Sequence, residues 1–352
     1  MRIGILTLQP HTNYGGILQA FALQTVLEHM GHNVQIFDCP FEPYKLPAWK
    51  KPLSYTKRFI KRYILQDKNT HINQEKVNFE RPKYFRQYTQ KFINDNLHRY
   101  LINKLSDIKK NDFDTIVVGS DQIWRMLYFK PFWKADRAAD AFLAFTNGWD
   151  IKRVAYAASF GTENSEIPEE EIEDCKAAIS KFNAVSVREE SGVKICKDLF
   201  DIEAKWVLDP TMLLQASDYI NLIGKKETKT SNGVLMSYVL DENPDVAELR
   251  SRIAKDKNLK INISNVADND SDKRCILPQP PIEYWLQSFI DADYVINDSF
   301  HACVFSILFH KQFTVYGNIV RGLERFTSLL SMFGLEDRLV TSSYEYKPLP
   351  DI

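Results

Sequence analysis

Four short stretches hold the side chains whose types and spacing could do chemistry. The first is Thr12-Asn13-Tyr14-Gly15-Gly16. Paired glycines let backbone come close to a ligand, and a helix starting there would offer free N–H groups to an anion; the alternative is a bare tight turn. The pattern is neither a dinucleotide fingerprint nor a Walker loop. The second is Val117-Val118-Gly119-Ser120-Asp121-Gln122-Ile123-Trp124. Here an apolar run ends in polar residues, where open α/β sheets bind ligands. Ser120 could contact a ligand, and Asp121 could act as a general base or cap the next helix. The third, Ser186-Val187-Arg188-Glu189-Glu190-Ser191, offers Arg188 as a planar clamp for phosphate or carboxylate, unless it is spent on a neighbouring acid. The fourth runs from Tyr294 to Ser306 and contains Asn297-Asp298-Ser299-Phe300-His301. Asp298 and Ser299 carry helix-start chemistry, which puts His301 in the first helical turn. A helix N-terminus disfavours imidazolium and a bound anion restores it, so His301 is a candidate proton donor near neutral pH; the plainer role is structural.

These stretches must be positioned by alternating strands and helices. Residues 2–8 form an apolar run, residues 17–30 carry apolar side chains at helical spacing, Gly31 stops that helix, and residues 33–38 return as a strand. This is a βαβ unit, which implies a doubly wound parallel sheet. Further strands are expected at 115–119, 153–158, 184–187 and 205–208, with helices at 168–181 and 190–200. A second series has strands at 233–238, 260–263, 294–297 and 312–316, with helices at 245–255, 282–290, 300–310 and 322–333. The fold expected is α/β, with two Rossmann-like domains facing across a cleft, 1–208 and 209–352. Asp209-Pro210 and the polar stretch 224–233 mark the joint.

The whole chain has 352 residues and a formal charge of −1, which does not advertise nucleic acid as a partner. Five cysteines with no CxxC spacing argue against a disulfide framework or a cysteine metal site, and for a reducing compartment. The start of the chain is too quickly polar for a signal peptide and no apolar run reaches spanning length, so a cytoplasmic location is expected. Residues 40–110 stand apart, with 17 Lys or Arg against 6 Asp or Glu and 12 aromatics. They read as a helical insertion. Its charged face is either simply solvated or meets anionic lipid or a lipid-linked diphosphate at the inner face of a membrane; nucleic acid is the remaining option.

Taken in series, TNYGGILQAFALQ, VGSDQIW, SVREES with VLDPT, NDSFHACVFSILFHKQF and RFTSLLSMFGLEDR resemble the polysaccharide pyruvyl transferase family. The resemblance covers nearly the whole chain, and the family is similar to two-domain glycosyltransferases of the GT-B type. It implies transfer of a pyruvyl group from phosphoenolpyruvate to a sugar, typically as a ketal bridging two hydroxyls, on a surface glycan or its lipid-linked precursor. No metal or redox cofactor is implied. Carried over by motif, His301 is the general acid or phosphate contact and Arg188 the anion clamp. Asn13, Tyr14, Gly15 and Gly16 line the cleft, with Ser120, Asp298 and Ser299 beside the substrate and Asp121 as base or acceptor ligand. Family members often carry Arg two positions before the motif histidine, where this chain has Ser299, and Gly after it, where this chain has Ala302. Arg321, Arg325 or Lys311 is then left to grip the donor.

Two other functions share these features. A nucleotide-sugar-dependent glycosyltransferase would use the same architecture, and a non-catalytic glycan-binding member would suit the missing arginine. The transferase reading requires His301 and Arg188 to meet on one doubly anionic molecule.

Overall fold

A computed structural model describes residues 1–40, 47–67, 71–224, 233–264, 277–318 and 322–350. Strands β1 (Arg2–Leu6), β2 (Asn33–Asp38), β3 (Arg99–Leu101), β4 (Thr115–Val118), β5 (Lys152–Ala158), β6 (Ala184–Val187) and β7 (Lys205–Trp206) form one parallel sheet in the order β3-β2-β1-β4-β5-β6-β7. A second parallel sheet contains β8 (Val234–Tyr238), β9 (Lys260–Ile263), β10 (Tyr294–Asn297), β11 (Gln312–Tyr316) and β12 (Leu339–Val340), in the order β12-β11-β10-β8-β9. Both orders belong to the doubly wound α/β class, and each reverses direction once: between β1 and β4, and between β8 and β10. The central strands read as apolar runs because helices cover both faces; β4 and β10 are buried along their whole length.

The helices are α1 (Tyr14–His29), α2 (Lys51–Phe59), α3 (Gln74–Phe85), α4 (Gln87–Asn96), α5 (Met126–Trp133), α6 (Ile172–Ile179), α7 (Glu190–Phe200), α8 (Ala216–Leu222), α9 (Pro244–Asp256), α10 (Ile282–Asp291), α11 (Phe300–Leu308) and α12 (Glu324–Ser331). A turn of π-helix, Ile60–Ile64, continues α2.

Two expectations from sequence need correction. Helix α1 starts at Tyr14, three residues before the apolar period begins, because extended Asn13 is its N-cap and the two glycines form its first turn. The basic aromatic segment does not run to 110. Phe92 and Ile93 of α4 enter the core, Arg99–Leu101 pairs as β3 with β2, and Leu97, Ile102, Leu105 and Ile108 are buried. The expected joint begins in an ordered turn. Asp209 caps a short turn, Pro210–Leu213, and Tyr219 of α8 packs edge-on against Phe305 of α11 at 4.9 Å. Residues 225–232, most of the expected polar joint, lie outside the described residues.

One apolar cluster joins the two lobes. Tyr14, Ile17 and Leu18 of α1 meet Trp285 and Phe289 of α10 and Phe305 of α11. The Trp285 ring sits 5.4 Å from Tyr14, 5.4 Å from Tyr238, 4.8 Å from Phe289 and 5.2 Å from Phe305. Trp285→Ala should cost about 3–5 kcal/mol in equilibrium denaturation, as expected for truncating a buried aromatic. A loss below about 1 kcal/mol would mean the lobes do not share this core.

Candidate active site

The two sheet reversals open onto one cavity of about 570 Å³. The loop after β1 and the start of α1 supply His11, Thr12, Asn13 and Gly16, and the loop after β4 supplies Asp121 and Gln122. From the second lobe come Tyr238 and Leu240 after β8, Asp298 to His301 after β10, and Arg325 on α12. In open α/β sheets this crevice is where ligands bind, and here two such crevices are apposed.

Beneath the cavity lies a buried carboxylate, Asp209. Its Oδ1 accepts from the Thr211 N–H at 3.0 Å and the Thr211 hydroxyl at 2.7 Å. Its Oδ2 accepts from Ser120 Oγ at 3.1 Å and from Arg188 at 2.6 Å, and His301 Nε2 stands 3.6 Å away. Burial alone would raise its pKa, but His301, Arg188 and the Thr211 N–H outweigh that and hold it well below the ordinary carboxylate range. An ionised partner fixes the orientation of a histidine and stabilises its imidazolium form.

Arg188 therefore does not act as the clamp expected of it. Its side chain is 1% exposed and does not line the cavity. Asp209 pairs with it at 2.6 Å, Glu189 and Asp121 approach at 3.5 and 3.6 Å, and the Phe300 ring covers it at 4.2 Å. Burial works against its charge, yet the three carboxylates raise its pKa overall. Burial pushes Glu189 above the usual carboxylate range, against the pull of Arg188 and the Ser159 hydroxyl. His301 and Arg188 do meet on one anion, but that anion is Asp209 of the protein itself.

The remaining expected residues separate into two groups. Asn13, Tyr14, Gly16, Asp121, Asp298, Ser299, His301 and Arg325 line the cavity, whereas Gly15 and Ser120 lie behind it. Ser120 is fully buried and spends its hydroxyl on Ala157 O and Asp209. Gly15 makes room for the imidazole, since a Cβ there would fall 2.1 Å from the His301 ring. Asp121 does not cap a helix, since α5 begins only at Met126 with Arg125 as its N-cap. Asp298 accepts from the Leu240 and Asp241 N–H groups at 2.7 and 2.8 Å, which ties the β8 loop to the β10 loop.

Part of the cavity wall suits an anion. Helices α1 and α11 both start at its wall, and neither Asn13 nor Ser299 caps its helix with a side chain. Arg325 reaches the wall with no hydrogen bond or ion pair among the described residues, and its Nε is buried without a partner there. Of the three cations left to replace the arginine absent at Ser299, Lys311 donates to Ile290 O and Ala292 O at 2.9 Å each, and Arg321 lies outside the described residues. Arg125 also lines the wall but is paired with Glu166 at 2.9 Å.

Sequence reasoning missed several lining residues, among them His11 and Gln279. His11 stacks on Phe132 at 5.2 Å, and its Nδ1 accepts from the Thr12 N–H at 2.6 Å. Burial, then the charge of Arg86, lowers its pKa, which favours neutral imidazole with Nε2–H as donor. Gln279 donates to Thr12 O at 2.7 Å and Tyr14 OH donates to Pro280 O, so the segment before α10 fastens the glycine turn. Adjacency of His11 to the TNYGG stretch was the one available signal.

A model of the family described as polysaccharide pyruvyl transferase matches residues 13–318. The chain belongs to this family. The matched span runs from the cap of α1 to Asn318 on the cavity wall, and so takes in His301, Asp121 and Asp209 but stops short of Arg325. No curated protein matches the chain. Among solved structures it is similar to UDP-GlcNAc 2-epimerase from Neisseria meningitidis bound to UDP-GlcNAc, at 11% identity over 96% of this chain and 94% of that one, with a TM-score of 0.46. It is also similar to UDP-GlcNAc 2-epimerase from Methanocaldococcus jannaschii, at 10% identity over 90% and 83%, with a TM-score of 0.44. An alpha-glucosyltransferase in complex with UDP aligns at 9% identity over 90% and 80%, with a TM-score of 0.42.

Two outcomes follow for this pyruvyl transferase family member. Gly15→Ala should destabilise by about 1–3 kcal/mol through overpacking, and most of that loss should vanish in the His301→Ala background. Equal losses in both backgrounds, read by urea denaturation, would show that the imidazole is not what Gly15 accommodates. Asp209 has a folded pKa below its ordinary 3.8, so its contribution to stability is full above that pH and is lost as pH falls below it. Stability should therefore fall more steeply below pH ~4 in the wild type than in Asp209→Asn, and parallel acid limbs would contradict this.

Proposed function

We propose that the protein transfers a pyruvyl group from phosphoenolpyruvate to two hydroxyls of a sugar, on a surface glycan or its lipid-linked precursor. One observation carries the reading: two uncapped helix N-termini and the guanidinium of Arg325, unpaired among the described residues, surround a cavity whose floor holds the His301–Asp209 pair. Phosphoenolpyruvate carries a phosphate and a carboxylate, which suit these donors.

In this scheme His301, as imidazolium, gives its proton to the methylene carbon. Ionised Asp209 stabilises that imidazolium before the transfer and keeps the ring oriented afterwards. C2 becomes an oxocarbenium-like centre, and a sugar hydroxyl attacks it while Asp121 accepts the hydroxyl proton. Phosphate then departs and the second hydroxyl closes the ketal. Of the two hydroxyl protons, one replaces the proton delivered to the methylene and the other leaves with phosphate. The scheme needs neither a metal nor a redox cofactor. The rings of Tyr128, Phe132 and Phe85 on the cavity wall give a sugar apolar faces to lie against.

Phosphate release from phosphoenolpyruvate should require a glycan acceptor, and His301→Ala should lower kcat by about 10²–10⁴-fold. Arg325→Ala should chiefly raise KM for phosphoenolpyruvate, and phosphoenolpyruvate should raise the melting temperature of the wild type. Stabilisation by a nucleoside diphosphate instead would favour a nucleotide-sugar glycosyltransferase. Failure of free and lipid-linked galactosyl, mannosyl and hexosaminyl acceptors alike, with no melting shift, would favour a non-catalytic glycan-binding protein.

A further inference from the structure

The segment 48–65 has no part in the cavity and no buried residue. It comprises a short 3-10 turn, α2 and the π-helical turn, and it is fastened to the protein mainly through one side. Arg58 pairs with Glu75 at 2.8 Å and donates to Ile72 O, and Tyr55 OH reaches Asn73 at 3.5 Å. The opposite side is apolar and open to solvent. Trp49 is 77% exposed, Leu53 80%, Ile60 42% and Ile64 67%. Their spacing brings all four onto one helical stripe, and Phe59 and Tyr63, both half-exposed or more, widen it. A soluble helix normally hides such a stripe, so its exposure calls for an occupant.

Charge identifies the occupant. Lys50, Lys57 and Lys61 follow one another along a flank of the stripe, all exposed, and residues 47–66 contain no Asp or Glu. Lys61 pairs with Asp67, just beyond the segment, at 3.1 Å. An apolar face with Trp and Tyr beside it and a lysine row at its edge is the pattern of a helix lying in a membrane interface. There the rings sit among headgroups and the lysines meet anionic lipid. No helix among the described residues is long and apolar enough to cross a bilayer. A protein partner would need acids to answer the lysines and would leave the aromatic flank unexplained.

We propose that residues 48–65 form an in-plane docking helix for an anionic lipid bilayer. Helix α3 connects this surface to the cavity. Its first turn holds Arg58 through Glu75, and its last residue, Phe85, lies on the cavity wall and accepts the Gln279 N–H at 2.8 Å. Twelve residues of helix span about 18 Å, so docking would hold the cavity mouth within reach of a lipid-linked headgroup. The docking itself does not depend on the reaction proposed above.

The test is sedimentation of the full chain with vesicles of phosphatidylcholine alone, or with about one third phosphatidylglycerol, at low and high salt. The wild type should pellet with the anionic vesicles about tenfold more strongly than with the neutral ones, and the difference should shrink in high salt. Leu53→Glu/Ile64→Glu should abolish binding at both salt concentrations, and Lys50→Glu/Lys57→Glu/Lys61→Glu should remove the preference for anionic lipid. The altered residues are exposed, so unchanged melting temperatures are expected and serve as the folding control. The proposal is overturned if the wild type ignores anionic vesicles or if the Leu53/Ile64 variant binds like the wild type. It is likewise overturned if sedimentation equilibrium shows a dimer that this variant dissociates, since the stripe would then belong to a second copy. Loss of phosphate release with vesicle binding intact would count against the reaction and leave the docking standing.

Discussion

The site depends on keeping one carboxylate ionised in the interior. Asp209 lies where the first lobe hands over to the second, and it is 1% exposed. Such a charge is tolerated only when its lone pairs are answered, because desolvation otherwise exceeds the Coulombic gain. Thr211 answers it from the turn that Asp209 itself caps, Ser120 from the end of β4, Arg188 from the end of β6, and His301 approaches from the start of α11. Each element end is thereby fixed relative to the others. Removing Arg188 would leave carboxylates buried without their cation, so its contribution in this structure is positional, and its side chain does not line the cavity.

From this anchor the chemistry divides by depth. The buried layer holds His301 upright between Asp209 and the cavity, with Gly15 leaving room for the ring. The layer above carries two helix starts without side-chain caps and a guanidinium unpaired among the described residues, which attract negative charge, together with the carboxylate of Asp121. Asp298 serves neither layer directly. By holding two N–H groups of the β8 loop it joins the sides of the second lobe's reversal point and so shapes the wall on which Ser299 and Phe300 sit.

Much of the fold was legible because strands covered on both faces leave unbroken apolar runs, as in RIGIL and TIVV, and because Gly31, at φ +81°, ends α1 as its position suggested. Placement of His301 followed for the same reason: YVIN followed by Asp-Ser is a strand meeting a helix start. The two short edge strands β3 and β12 left no such trace, since RYL and LV are too brief to show a period. Arg188 was misjudged because its fate is set by Asp209, which no spacing connects to it. Arg325 and Ser120 differ in what tertiary packing leaves beside them: an open cavity wall for the first, a carboxylate for the second. His11 went unremarked because an isolated loop histidine carries no pattern, and its environment is supplied by Phe132 from α5.

A crystal structure of the wild-type protein soaked with phosphoenolpyruvate would test the central claim most directly. The phosphate should lie against Arg325 and the first N–H groups of α11, with the methylene carbon about 3–3.5 Å from a ring nitrogen of His301. Phosphoenolpyruvate bound elsewhere, or bound in the cavity with its methylene turned away from His301, would contradict it.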